Sequence, residues 1–126
     1  MLADLPDPMR WVDGSGLSRY NLFSPRSIVH LLEKMYQEFP LERLLSIFPV
    51  GGESGTIADY YRTNGHPFLY AKTGTLSNRH CLSGYLFTKN EKLLLFSFMH
   101  SNFYGSSAPL KKEMDRVLQH IYEVGE

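Results

Sequence analysis

Residues 70 to 78 read Tyr-Ala-Lys-Thr-Gly-Thr-Leu-Ser-Asn, and Lys72, Thr73, Gly74 and Thr75 set an ammonium, two hydroxyls and a residue without a side chain on one predicted strand. These are groups a site for a peptide carboxylate would use. Side chains alternate along a strand, so Lys72 and Gly74 face one way and Thr73 and Thr75 the other, unless the strand bulges at the glycine. Backbone groups must therefore take part. An extended peptide lying antiparallel along an exposed edge is held by main-chain hydrogen bonds. Gly74 lets it come close, Lys72 supplies positive potential, the threonine hydroxyls suit a terminal carboxylate, and the Thr75 N–H can stabilise a developing oxyanion. Such a strand binds a substrate but cannot attack it. The plainer alternative is an ordinary strand ending at a Gly-Thr turn with Lys72 in solvent, and a Lys-Thr-Gly triplet alone is too common to separate the two.

Other groupings are poorer in chemistry. Asp13, Ser15 and Ser18 with a histidine would compose a hydrolase triad, but Gly14-Ser15-Gly16 follows no clear strand and lacks the nucleophile-elbow pattern, so a structural turn is expected. The predicted hairpin sets Cys81 opposite His100 with His80 on the other face, which leaves a metal short of its third and fourth ligands. No metal and no cofactor is expected. His30 and His120 fall at helical positions as surface or partly buried side chains, and His66 falls in a loop.

Positioning these groups takes a helical first half and a sheet-forming second half. Residues 1 to 10 hold two prolines and no periodicity, which predicts an extended lead-in; Trp11-Val12 is a short strand, and Asp13 to Gly16 a turn. Ser24 caps a helix with Pro25 at its first position, and Ile28, Leu31, Leu32, Met35 and Phe39 follow at helical spacing until Pro40. Leu41 to Ile47 adds a shorter helix, Gly51 to Gly55 a flexible loop, and Thr56 to Arg62 one more helical turn. Beyond the breaker Asn64-Gly65-His66-Pro67, residues 68–75, 80–88 and 92–100 predict a three-stranded antiparallel meander, the last two joined by a tight turn around Asn90-Glu91. A final helix after Ser106-Ser107 carries Leu110, Met114, Val117, Leu118 and Ile121 on one face, a stripe that should pack on the sheet. Leu93 to Phe96 put bulk on both faces, so each side of the sheet needs a cover. The 92–100 strand keeps a free apolar edge guarded only by Lys92 and His100, which invites pairing with another copy or another segment.

Composition sets limits rather than a role. With 126 residues, 43% hydrophobic, the chain suits one domain. Thirteen basic residues balance 13 acidic ones, so no long-range field favours nucleic acid or an anionic membrane, and no nucleic-acid partner is expected. Cys81 is the one cysteine, which excludes an internal disulfide. The N-terminus shows no basic region followed by an apolar run, so neither an export signal nor an anchor is expected in the chain as written.

Longer blocks carry more information. Trp11-Val-Asp-Gly-Ser-Gly-Leu-Ser-Arg-Tyr-Asn21, Ser24-Pro25 opening a helix, a Gly51-Gly52 loop, Lys72-Thr-Gly-Thr-Leu-Ser-Asn78 and Leu82-Ser-Gly-Tyr85 together resemble the C-terminal part of the S13 D-alanyl-D-alanine carboxypeptidases, penicillin-binding proteins of the class C or type 4 kind. The resemblance runs from about residue 5 to the final helix. It implies an α/β (α+β type) segment of the penicillin-recognising serine transpeptidase and β-lactamase-like fold, acting on the D-Ala-D-Ala end of peptidoglycan stem peptides, open to β-lactams, and located in the periplasm or cell envelope. By it, Lys72 tunes a proton relay and helps bind the carboxylate, Thr73, Gly74 and Thr75 bind the substrate terminus, the Thr75 N–H is half of the oxyanion hole, and Ser77 and Arg19 line the same cleft. The family also uses a Ser-x-x-Lys and a Ser-x-Asn. Neither occurs here: Ser27 leads to His30, Ser54 to Ile57 and Ser107 to Leu110, and Ser18-Arg-Tyr-Asn21 is one residue too long. The expectation is a single-domain segment, residues 1–126, inactive alone for want of a nucleophile. The competing expectation is a non-catalytic module that binds peptide or a partner chain through its sheet edges.

Overall fold

The computed structural model describes residues 3–63 and 65–125. Met1 and Leu2 of the lead-in and Asn64 of the Asn64-Gly65 breaker lie outside the described residues. The Ser24 hydroxyl accepts the Ser27 N–H at 3.1 Å and so starts α1 (Pro25–Glu38), with Pro25 where its missing N–H costs nothing. Pro40 separates α1 from α2 (Leu41–Ser46). Three strands follow, β1 (Leu69–Leu76), β2 (Arg79–Phe87) and β3 (Leu93–Ser101), and then α3 (Ala108–Val124). They form one antiparallel sheet in the order β1-β2-β3, the expected meander.

The two faces of the sheet are covered separately, which is why β2 and β3 carry bulk on both. On one face Met114 and Leu118 of α3 pack on Leu69, Ala71, Leu82 and Leu86. On the other, Leu32 of α1 and Leu44 of α2 pack on Tyr85, whose buried hydroxyl donates to the Leu32 carbonyl at 2.7 Å. Parity then places every other strand residue. Thr73, Thr75, His80 and His100 lie on the α3 face, and Lys72, Gly74, Cys81 and Met99 on the α1 face. β3 lies at one edge with each of Leu93 to His100 only half-buried.

Two local expectations fail, and a third, the helical turn after residue 55, is met as a 3-10 turn. Trp11-Val12 is not a strand: Arg10 bridges Leu22, and beyond it the Asn21 side-chain oxygen accepts the N–H of both Val12 and Asp13. A side chain thus takes the donors a ladder would need. Between residues 56 and 62 only a 3-10 turn forms, Gly55–Ile57, and Tyr61 takes a positive φ of 60° that ends the helical path. Finally, Cys81 does not face His100. A two-residue loop at Asn90-Glu91 would pair them, but the loop is residues 89–91, with Glu91 in the left-handed region at φ 64° and the Thr88 N–H bonded to the Lys92 carbonyl. That one-residue difference flips the faces, so His80 opposes His100 and Cys81 opposes Met99.

Candidate functional site

The outer edge of β1 is half closed. Gly51 N–H donates to the Leu69 carbonyl at 2.9 Å, Ala71 N–H donates to the Pro49 carbonyl at 3.0 Å, and Val50 bridges Tyr70. Proline has no N–H to return to Ala71, so the short pairing stops there. The β1–β2 register continues without a bulge from Leu69↔Leu86 to Leu76↔Arg79. The alternation set at Ala71 therefore persists: the N–H and C=O of Thr73 and Thr75 point to the outer edge, and those of Lys72 and Gly74 face β2. Among the described residues, no acceptor meets the Thr73 or Thr75 N–H. This stretch is what a peptide strand could extend.

The side chains around it are already engaged. Lys72 is exposed, and its ammonium donates to the Thr73 carbonyl at 2.8 Å. The Thr73 hydroxyl lies 2.5 Å from that of Thr56 on the 3-10 turn, and the Thr75 hydroxyl 2.8 Å from His80 Nδ1. Both hydroxyls sit on the α3 face, while the outward backbone groups sit on the edge. Gly74 is crowded on one side only, since a Cβ there would stand 3.0 Å from Cys81 Sγ. Ser77 occupies the β1–β2 turn, exposed, next to Asn78 at φ 61°. The Asn78 amide donates to the Phe103 carbonyl at 2.6 Å, and Asn102 N–H donates to the Asn78 carbonyl at 2.9 Å, which clasps the turn to the segment after β3.

A cleft of about 580 Å³ opens between residues 16–23 and the turn end of the sheet. It brings Arg19 together with Gly74, Thr75, Arg79, His80 and His100, and leaves Lys72, Thr73 and Ser77 outside its lining. The loop that carries Arg19 is built on Asp13, whose carboxylate accepts the Ser15 hydroxyl and the N–H groups of Ser15 and Gly16. Those bonds, the Ser15 hydroxyl foremost, hold the Asp13 carboxyl below the usual range. Asp13 thus organises a turn and is no base. Ser18 lines the cleft, and its oxygen accepts the Tyr20 N–H at 3.2 Å. Burial pushes the Cys81 thiol up, so it is a poor nucleophile. His80 is only 3% exposed, and burial first, then Lys111 and His100, lower its pKa below 6.5.

Sequence reasoning passed over three of these groups. Pro49-Val50 carries no assignment between the short helix and the Gly51-to-Gly55 loop, although a β-branched residue beside a proline suits a short edge pairing. The partners of the two threonines, Thr56 and His80, were not signalled. Their roles depend on which face of β1 each hydroxyl takes, and only the register decides that.

Comparison with known proteins gives a consistent answer. The D-Ala-D-Ala carboxypeptidase 3 (S13) family model matches residues 7–121. The chain is 38% identical over 104 residues to a D-alanyl-D-alanine carboxypeptidase from an Actinomadura species, covering 78% of this chain and 19% of that protein. It is 33% identical over 92 residues to the D-alanyl-D-alanine carboxypeptidase DacB of Haemophilus influenzae, covering 70% of this chain and 19% of the relative. The crystal structure of penicillin binding protein 4 (dacB) from Haemophilus influenzae superposes with a TM-score of 0.80 at 26% identity, over 94% of this chain and 28% of that one. That protein has also been crystallised with a β-lactam. The chain spans about a fifth of the length of these curated relatives.

Proposed function

This chain belongs to the D-Ala-D-Ala carboxypeptidase 3 (S13) family, and from that premise we propose that it is the C-terminal active-site segment of a serine-type D-Ala-D-Ala carboxypeptidase, with β1 as the wall that binds the peptidoglycan stem peptide. The observation that carries the reading is the open outer edge at Thr73 and Thr75, beside the Lys72 ammonium and ended by Pro49. A peptide running antiparallel along it directs its C-terminus toward Thr73 and Lys72. The Thr75 N–H then lies where the carbonyl oxygen of the scissile bond gathers charge. Lys72 swings from the Thr73 carbonyl to the terminal carboxylate, Gly74 leaves room for the ligand backbone, and Arg19 and Ser77 flank it.

The same segment does not supply attack. Hydrolysis in this family runs through a Ser-x-x-Lys and a Ser-x-Asn, and these 126 residues hold neither. The reading is therefore of a binding wall, inactive alone, that serves stem peptides and β-lactams within a complete enzyme of the cell envelope. Titrating the ¹⁵N-labelled chain with an acetylated peptide ending in D-Ala-D-Ala should move the Thr73 and Thr75 amide resonances. Lys72→Ala should weaken that binding about fivefold, the upper range for an exposed ion pair. Shifts confined to other regions, or none at millimolar peptide, would sink the proposal.

A second reading has its own observation. β3 is an edge strand whose apolar residues Leu93 to Met99 are each only half-buried, the geometry by which a non-catalytic module recruits another chain or an upstream segment. Light scattering over rising concentration should then show growth from monomer to dimer. A monodisperse monomer throughout counts against self-pairing.

A further inference from the structure

Thr75 is the next-to-last residue of an edge strand, and beyond Ala71 the loop at Pro49 no longer braces its outer side. Two things hold it: the ladder to β2, and the bond from its hydroxyl to His80 Nδ1 at 2.8 Å. His80 is itself fixed. It is 3% exposed, it opposes His100 across β3, and His100 lies against Phe98 with ring centroids 4.7 Å apart. We propose that His80 is a positioning residue, which pins the Thr75 side chain on the α3 face so that the Thr75 N–H stays aimed along the open edge. The proposal rests on the peptide-binding reading of β1 for its purpose, but not for its geometry.

The pairing is sensitive to protons. A neutral imidazole can accept the Thr75 hydroxyl proton at Nδ1, whereas an imidazolium donates from both nitrogens and makes the Thr75 oxygen the acceptor. The groups that face His80 are Thr75 from β1, His100 from β3, Lys111 from α3 and, across the cleft, Arg19. Burial foremost, then Lys111 and His100, oppose protonation. Because the folded pKa lies below the unfolded value near 6.5, the stabilisation is complete above that pH and is lost as the pH falls through the window below it.

Asparagine puts an amide nitrogen near the position of Nδ1, and glutamine puts it near Nε2. This separates a bond to Thr75 from mere filling of space. Without ligand, the Thr75 amide resonance of the native chain should follow the His80 ring titration as the pH falls below about 6.5. His80→Asn should abolish that pH response yet leave the Thr75 amide as rigid as in the native chain, with an order parameter near about 0.85, and His80→Gln should lower that order parameter below about 0.6. A Thr75 amide indifferent to the ring titration, with the two variants alike, overturns the proposal. With the acetylated D-Ala-D-Ala peptide, His80→Gln should bind about fivefold more weakly and His80→Asn within about twofold of the native chain, since a hydrogen bond of this kind is worth about 1 kcal/mol. Coupling of Thr75 to His80 with no binding by the native chain supports the pinning and overturns the peptide reading instead. Dispersed NMR spectra for both variants are the check on folding.

Discussion

Gly84→Ala is expected to cost this fold about 3 kcal/mol or more, the upper range for forcing an atom into a packed interior. A Cβ at position 84 would stand 2.2 Å from the Tyr70 carbonyl oxygen, 2.7 Å from Ala71 Cα and 2.9 Å from Ala71 Cβ. Two of these are backbone atoms of β1, which cannot swing away as a side chain would. Gly84 pairs directly with Ala71, so relief requires β1 to move off β2 at the point where the Pro49 loop braces the other side. The strand that carries Lys72 to Thr75 therefore shifts with the core. Thermal denaturation followed by circular dichroism should show a large loss of transition temperature. An unchanged melting curve would mean that the β1–β2 spacing is slacker than the register implies.

A fluorescent penicillin should leave no labelled band after denaturation of the 126-residue chain. Acylation needs a serine whose proton is taken by a neighbouring base, and losing either partner costs on the order of a millionfold in turnover in a serine hydrolase. Among the described residues no serine hydroxyl is bonded to a lysine. Ser18 and Ser101 line the cleft; Ser18 accepts a backbone N–H from Tyr20, and the Lys72 ammonium is on the Thr73 carbonyl. Non-covalent retention would wash out under denaturant, whereas an ester would survive it. A band that persists would show that one of these serines is activated and would remove the binding-wall reading.

Much of this was legible because the informative residues act locally. Ser24-Pro25 caps α1 as its chemistry dictates, and Pro40 stops it. The aromatic and β-branched content of residues 68–75 and the two apolar runs beyond it, separated by turn residues, yield the meander within a residue or so of its ends. The family resemblance came from the Asp13-to-Arg19 block and the Lys72 strand, and the family match bears it out. What stayed hidden depends on register. A loop of three residues in place of two moved His100 from beside Cys81 to beside His80. Likewise, Asn21 took the N–H groups of Val12 and Asp13 through its side chain, a competition that strand propensity does not describe.

The proline at position 49 has a consequence for symmetry. With Pro49 to Gly51 paired along Leu69 to Ala71, the β1 edge is obstructed over its first half. A β3 strand from another copy cannot lie along its full length. Head-to-tail stacking of sheets, which has no natural end and grows into fibres, is thereby blocked at one face of each copy. Were copies to pair through their sheets, as the second reading proposes, β3 against β3 about a two-fold axis would be the arrangement left, complete at two chains.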